Sequence, residues 1–134
     1  MKKYLVAADI LLFVLSLFFP VFLFASHDPV MGHIVLLWGW WGLIMLHFGW
    51  VANMLWIGGI VLFLRNNFKL ARLLAMGAAV LALESFAVKE WWFNEGSGTE
   101  VTGFGAGFYL WMGAIVFLLI LTYSFKKPLP FPTQ

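Results

Sequence analysis

Apolar residues along the chain fall into four long runs separated by shorter polar or aromatic segments. The runs cover about residues 4–25, 47–64, 70–88 and 104–125. A bilayer core takes roughly 20 helical residues, so each run has about the length that crosses it. The pattern predicts four transmembrane helices, the first of them kinked near Pro20, which helix bundles tolerate because neighbouring groups satisfy the freed carbonyl.

The segment between the first and second runs breaks this simple pattern. Met31–Leu64 contains no Lys, Arg, Asp or Glu, and it holds five tryptophans and six glycines. It is too apolar for a soluble loop and too long for one span. We therefore predict that Met31–Met45 forms a half-helix lying at the membrane interface, with its tryptophans at headgroup depth, and that span two starts at about His47.

A second irregular segment, Lys89–Gly103, is the most polar part of the chain. Its centre, residues 94–98, is rich in turn-forming residues and includes Glu95. The aromatic and β-branched flanks predict a short hairpin or loop before span four. The predicted fold class is an all-α integral-membrane four-helix bundle made by one domain, residues 1–127, followed by a proline-rich, extended tail over residues 128–134.

Composition supports a membrane protein over a soluble one. Of the 134 residues 63% are hydrophobic and only 10% are charged, with a mean hydropathy of +0.96. Soluble domains carry about 25% charged residues. With no cysteine, disulfides, thiol catalysis and cysteine-ligated metals are excluded.

The basic residues predict the orientation of the spans. One side is predicted to carry all of them except Lys89: Lys2, Lys3, Arg65, Lys69, Arg72, Lys126 and Lys127. By the positive-inside rule both termini are cytoplasmic and the tryptophan-rich half-helix faces out. The basic pI of about 9.1 thus reflects topology and not nucleic-acid binding. The first run is far longer than a signal-peptide core and contains Asp9, so we predict an uncleaved helix.

Two carboxylates lie inside predicted spans, where a charge marks either a pairing or a pathway. Asp9 is expected to form a structural ion pair with one of the basic residues of the 65–72 turn. Glu84 lies at the depth of Gly49, between His47 and Asn53 of span two. These two residues are roughly 120° apart around the helix, so whether one carboxylate reaches both is open.

Small residues on span three predict how the helices pack. They form one stripe along the helix: Ala71, Ala75, Ala78, Ala79 and Ala82. Glu84 lies roughly opposite. If the stripe packs inside the bundle, Glu84 faces lipid or another subunit; if Glu84 faces inward, the alanines are free to bind a partner helix.

The three histidines raise the question of a metal or haem. His33 and His47 share a face only in a continuous helix, which is not predicted here, so haem is disfavoured. His27, Asp28, His33 and a hairpin glutamate have the right atom types for zinc, but their spacing matches no strong motif. We predict no metal, no cofactor and, since no catalytic constellation is present, no enzymatic activity.

Several short motifs resemble a known group of proteins. These are Gly39-Trp40-Trp41-Gly42, Trp50-Val51-Ala52-Asn53, Glu95, and the segment Val101-Thr102-Gly103-Phe104-Gly105-Ala106-Gly107-Phe108-Tyr109-Leu110-Trp111. Over about Gly39–Gly113 the chain resembles small, uncharacterised four-span bacterial inner-membrane proteins, in which a proline stands where this chain has Met54. The resemblance implies four spans and a bacterial inner membrane, and it carries no activity.

Function is predicted from the concentration of aromatic residues on the outer side. We call this surface the aromatic platform: residues 38–50, Trp91, Trp92 and residues 104–111. The leading hypothesis is a non-enzymatic accessory subunit that binds a membrane protein, a second copy or lipid, without nucleic acid. The alternatives are an immunity-type protein against a pore-forming toxin, and an oligomeric ion or solute carrier. Candidate binding residues are Glu84, His47, Asn53, Trp50, Trp40, Trp41, Trp91 and Trp92.

Overall fold

A computed structural model describes residues 1–94 and 96–125. The predicted hairpin residue Glu95, the basic pair at positions 126–127 and the proline-rich tail lie outside the described residues. The chain is mostly helical, in agreement with the prediction, but it also contains two small antiparallel sheets. The helices are α1 (Lys2–Ser16), α2 (Gly32–Trp38), α3 (Val51–Leu64), α4 (Phe68–Glu84) and α5 (Ala106–Ser124), and the strands are β1 (Pro20–Leu23), β2 (Val30–Met31), β3 (Glu90–Trp92), β4 (Gly98–Glu100) and β5 (Gly103–Phe104).

The first predicted span is corrected at its far end. Helix α1 ends at Ser16, and the apolar residues that follow form strand β1 from Pro20. Proline lacks the N–H that a helix needs, and it is tolerated as the first residue of a strand. Strand β1 lies in the middle of a three-stranded sheet, between β2 and β5. The predicted all-helical class therefore fails at this end of the bundle.

The tryptophan-rich segment is helical but broken, as predicted. Helix α2 runs directly into a 3-10 helix, Gly39–Met45, which ends at Leu46 in the left-handed conformation, with φ 61°. Helix α3 begins only at Val51 and continues without interruption through Met54. Residues 35–64 therefore do not form one continuous helix.

Four helices pack into a bundle, α4 against α3 and α5, and α1 against α5. Most of the predicted alanine stripe lies inside it: Ala71, Ala75, Ala78 and Ala82 are fully buried, and Ala79 is half-buried. Gly59 is close to this surface, where the backbone of Ala71 and Ala75 comes within 4 Å of the position of an added Cβ. Small residues thus set the α3–α4 spacing, as expected for helices that approach closely.

The outer faces of the same helices remain apolar. Exposed large hydrophobic side chains are found on each, for example Leu11, Ile57, Leu73 and Ile120. Two helical segments, Phe68–Ala87 and Ala106–Ser124, are long and apolar enough to cross a membrane by length and composition. Helices α1 and α3, with 15 and 14 residues, are shorter.

A predicted hairpin precedes α5 and is confirmed. Strands β3 and β4 pair antiparallel, with Trp91 opposite Thr99. The hairpin, the three-stranded sheet and the α2–3-10 segment are all joined to the same end of the bundle. A second, smaller hydrophobic core, made by Val21, Phe22, Val30 and Phe108, holds this end together.

Candidate functional site

A cavity of about 1030 Å³ lies at the sheet end of the bundle. The four-helix bundle contributes Phe13, Asn53 and Trp111 to its lining. The α2–3-10 segment and the hairpin contribute further tryptophans: Trp38, Trp41, Trp91 and Trp92. Small-molecule sites are mostly apolar clefts of about 300–1,000 Å³ with a few polar groups. The lining of this cavity is likewise mostly apolar, and its volume lies at the upper end of that range.

Most of the predicted aromatic platform therefore forms the wall of a cavity instead of a flat surface. Trp41, Trp50, Trp91 and Trp92 line it. Trp40 does not; its ring stacks on that of Trp41 at 5.0 Å between centroids. The Trp50 indole N–H donates to the carbonyl of Leu36 at 2.9 Å, which ties the start of α3 to α2.

Glu84 is held by the loop that precedes α3. Its Oε1 lies 2.9 Å from Nδ1 of His47, and its Oε2 accepts the backbone N–H groups of Phe48 and Gly49 at 3.0 and 2.9 Å. The side chains of His47 and Glu84 are 36% and 30% exposed. A carboxylate that accepts backbone N–H groups at a helix start is favourable because these donors have no partner within the helix.

The structure brings together only part of the predicted His47/Glu84/Asn53 cluster. Glu84 bonds to His47, while Asn53 has a different partner: its Oδ1 accepts the indole N–H of Trp111 at 2.7 Å. The reason is that His47 lies in the loop before α3, close to the end of α4, while Asn53 lies within α3 and is directed to α5. The two pairs are nonetheless joined through the cavity, because His47, Asn53 and Trp111 all line it.

Glu84 also fits neither predicted orientation of span three. The alanine stripe is inside the bundle, yet the Glu84 carboxylate reaches the 47–49 loop of its own chain and not a lipid-facing surface. It can do so because α4 ends at Glu84 and a 3-10 turn, Ser85–Ala87, follows. A long side chain at a helix end can turn back over the terminus.

Asp9 does not form the predicted ion pair within the described residues. Its carboxylate is fully buried and has no hydrogen-bond partner there. The Trp56 indole N–H faces it without reaching hydrogen-bond geometry. Arg72 is engaged elsewhere: it donates to the carbonyl of Thr122 at 2.8 Å and stacks over Tyr123.

The histidines have separate environments. His33 Nδ1 lies 3.0 Å from the carbonyl of Leu17, and the ring of His27 stacks on Phe93 at 5.0 Å. Within residues 1–94 and 96–125 no group of three His, Cys, Asp or Glu side chains is placed to hold a metal ion. His27, Asp28 and His33 of the zinc alternative therefore form no such group among the described residues.

Several cavity residues were not among the predicted candidates. Trp111 was grouped with the platform, but its bond to Asn53 was not foreseen, because the two residues lie 58 positions apart. Ser85 is also new. It lines the cavity and lies so close to Gly49 that a side chain there would meet its hydroxyl. The sequence feature that could have indicated this close contact was Gly49 itself, which lies in the loop bound by the Glu84 carboxylate.

Comparison of the chain with family models, with curated proteins and with solved structures finds no match. The class of protein is therefore described by its fold: a mostly helical bundle with two helices that could cross a membrane, capped at one end by small sheets around an aromatic cavity.

Proposed function

We propose that this chain is a non-enzymatic four-span membrane protein that binds a lipid-like molecule in the cavity behind its aromatic platform. It would act as a binding module or accessory subunit of a bacterial inner membrane. The cavity carries the proposal: a space of about 1030 Å³ walled by tryptophans is suited to an apolar guest. Aromatic side chains with an apolar body and a polar edge also favour the membrane–water boundary.

The apolar outer faces of all four bundle helices support the membrane location. Soluble monomers rarely expose contiguous apolar patches above a few hundred Å². Here alanines and glycines occupy the contacts between helices, and larger apolar side chains such as Leu73 and Ile120 point away. That distribution is typical of helices surrounded by lipid, where packing instead of hydrophobic burial drives association.

Four spans and cytoplasmic termini can be tested by labelling, since the chain has no cysteine of its own. Single cysteines at two exposed positions, Lys69→Cys and Ser97→Cys, lie at opposite ends of the bundle. We expect a membrane-impermeant maleimide added to intact cells to label Ser97→Cys, and Lys69→Cys only after the membrane is opened. Labelling of both positions in intact cells would contradict the four-span arrangement.

Ligand binding can be tested by native mass spectrometry of the protein released from lipid particles. We expect the wild-type chain to retain an added mass, and Ala87→Trp to lose it, because Ala87 lines the cavity and an indole there fills part of it. The matched control is Ala7→Trp, which changes an exposed residue of α1 outside both the aromatic platform and the cavity lining. A wild-type chain that is always free of added mass would overturn the proposed function.

A further inference from the structure

The polar groups of the cavity carry information about the chemistry of its ligand. Asn53 is the first of them. Because its Oδ1 accepts the Trp111 indole N–H, the orientation of the amide is set and its NH₂ group is the remaining polar end. That nitrogen has no hydrogen-bond partner among the described residues, and it is not sealed from solvent. An accessible NH₂ of a cavity-lining residue can donate a hydrogen bond to an acceptor on the ligand.

His47 is the second polar group. Its Nδ1 lies against the Glu84 carboxylate, which can only accept, so Nδ1 carries the proton. In the neutral ring this leaves Nε2 as an acceptor. Nε2 has no partner in the part of the chain that the structure describes, and it too remains accessible. A ligand that satisfies both residues presents an acceptor to Asn53 and a donor to His47.

The charge and shape of the cavity wall narrow the class of ligand further. The charged lining residues among those described are Lys89 and Glu90, whose formal charges cancel, so the lining has no net formal charge that would attract an ion, and an uncharged ligand is compatible with it. The tryptophan side chains on the wall offer flat faces, which favour a planar ring by stacking. Apart from these polar groups the lining is mostly apolar, and its volume leaves room for a hydrocarbon tail.

We infer that the cavity binds the head group of a quinol, a planar uncharged ring with hydroxyl groups and an apolar tail. A hydroxyl of a quinol can accept from the Asn53 amide, and the same or the other hydroxyl can donate to Nε2 of His47. The oxidised quinone has carbonyl oxygens only, so it satisfies Asn53 and leaves Nε2 unpaired. The cavity thus prefers the reduced form. This inference rests on the proposed function, which it deepens by naming the ligand class.

The test measures tryptophan fluorescence quenching by decylubiquinol and decylubiquinone, under anaerobic conditions, with the full chain in nanodiscs. We expect the quinol to bind about tenfold more tightly, the value of one additional hydrogen bond. His47→Asn places an amide near the Nδ1 position and keeps a donor for Glu84, so it retains the fold and loses the quinol preference. His47→Gln places its amide near Nε2 and keeps part of the preference.

Asn53 provides an independent variant. Asn53→Leu is expected to weaken the binding of both decylubiquinol and decylubiquinone about tenfold, while the preference for the quinol persists. Equal affinities of quinol and quinone for the wild-type chain, or an unchanged preference in His47→Asn, would overturn the inference.

Monoolein, an uncharged lipid without a ring, separates this inference from the proposed function. If monoolein binds, Ala87→Trp abolishes its binding and neither ring form binds, the quinol inference fails while the lipid-binding function stands. If none of the three probes binds, the proposed function fails as well.

Discussion

Gly107→Ala is expected to lower the free energy of unfolding by about 3 kcal/mol or more, which is a large fraction of the stability of a typical domain. Gly107 is in the first turn of α5, where the helix passes over the chain that leaves α1. A Cβ there would lie 2.8 Å from the carbonyl oxygens of Ser16 and Pro20, and closer still to that of Phe19. These are backbone atoms, so they cannot move aside as a flexible side chain does.

The same helix offers a matched control. Gly113 lies six residues further along α5, and a Cβ added there meets no atom within 4 Å. Gly113→Ala is expected to be neutral or to stabilise the protein by up to about 1 kcal/mol, the gain in helix propensity. Both variants can be compared by titration with SDS in mixed micelles. Equal stability of the two variants would contradict this prediction, because it would show that the contact between α5 and the chain after α1 accommodates an added methyl group with little loss of stability.

This corner also explains why the end of the first helix could not be predicted from sequence. Residues 17–25 are almost all apolar, and an apolar run without polar alternation reads equally as helix or buried strand. What decides the matter is pairing: Phe22 lies opposite Phe104, a residue 82 positions further on. Pro20 lies where the chain changes from helix to strand, but a proline at this position is equally compatible with a kinked helix.

Features governed by local chemistry were predicted well. The hairpin follows from turn residues between β-prone flanks, and the break before α3 follows from a run too long for one helix. The break between the second and third predicted spans was expected at residues 65–69; it lies at residues 65–67, and α4 begins at Phe68. The Asn67 side chain caps α4 by accepting the N–H of Leu70 at 3.3 Å. Each of these depends on residues that are neighbours in sequence.

The position of the site residues along the bundle axis was predicted, but the direction in which each side chain points around its helix was not. Counting residues from the turn placed Glu84 level with Gly49, and the structure joins them through a hydrogen bond of 2.9 Å. The rotation of each helix about its axis decides which side chain meets which, and it depends on packing across the bundle. For that reason the Asn53–Trp111 pair, and the absence of a basic partner for Asp9 among the described residues, were beyond the reach of spacing arguments.

Glu84→Ala is expected to destabilise the protein by about 2–3 kcal/mol, because it removes three hydrogen bonds and leaves two backbone N–H groups and His47 without their acceptor. The side chain is 30% exposed, so water replaces part of what is lost and keeps the cost below the sum for three charged bonds. Glu84→Gln retains one acceptor oxygen but presents an NH₂ group to the other donors. Its expected cost is about 1 kcal/mol.

The effect should be local as well as global, since the Phe48 and Gly49 amides are tied to α4 through this carboxylate alone among the described side chains. Hydrogen exchange at these two amides is expected to accelerate in Glu84→Ala and to stay slow in the control Glu100→Ala, which changes an exposed carboxylate on β4. Unchanged exchange in Glu84→Ala would mean that the loop before α3 is held by the Trp50–Leu36 bond instead. Because His47 loses its proton-accepting partner at Nδ1, Glu84→Ala should also release its ring to either tautomer and weaken the discrimination between quinol and quinone.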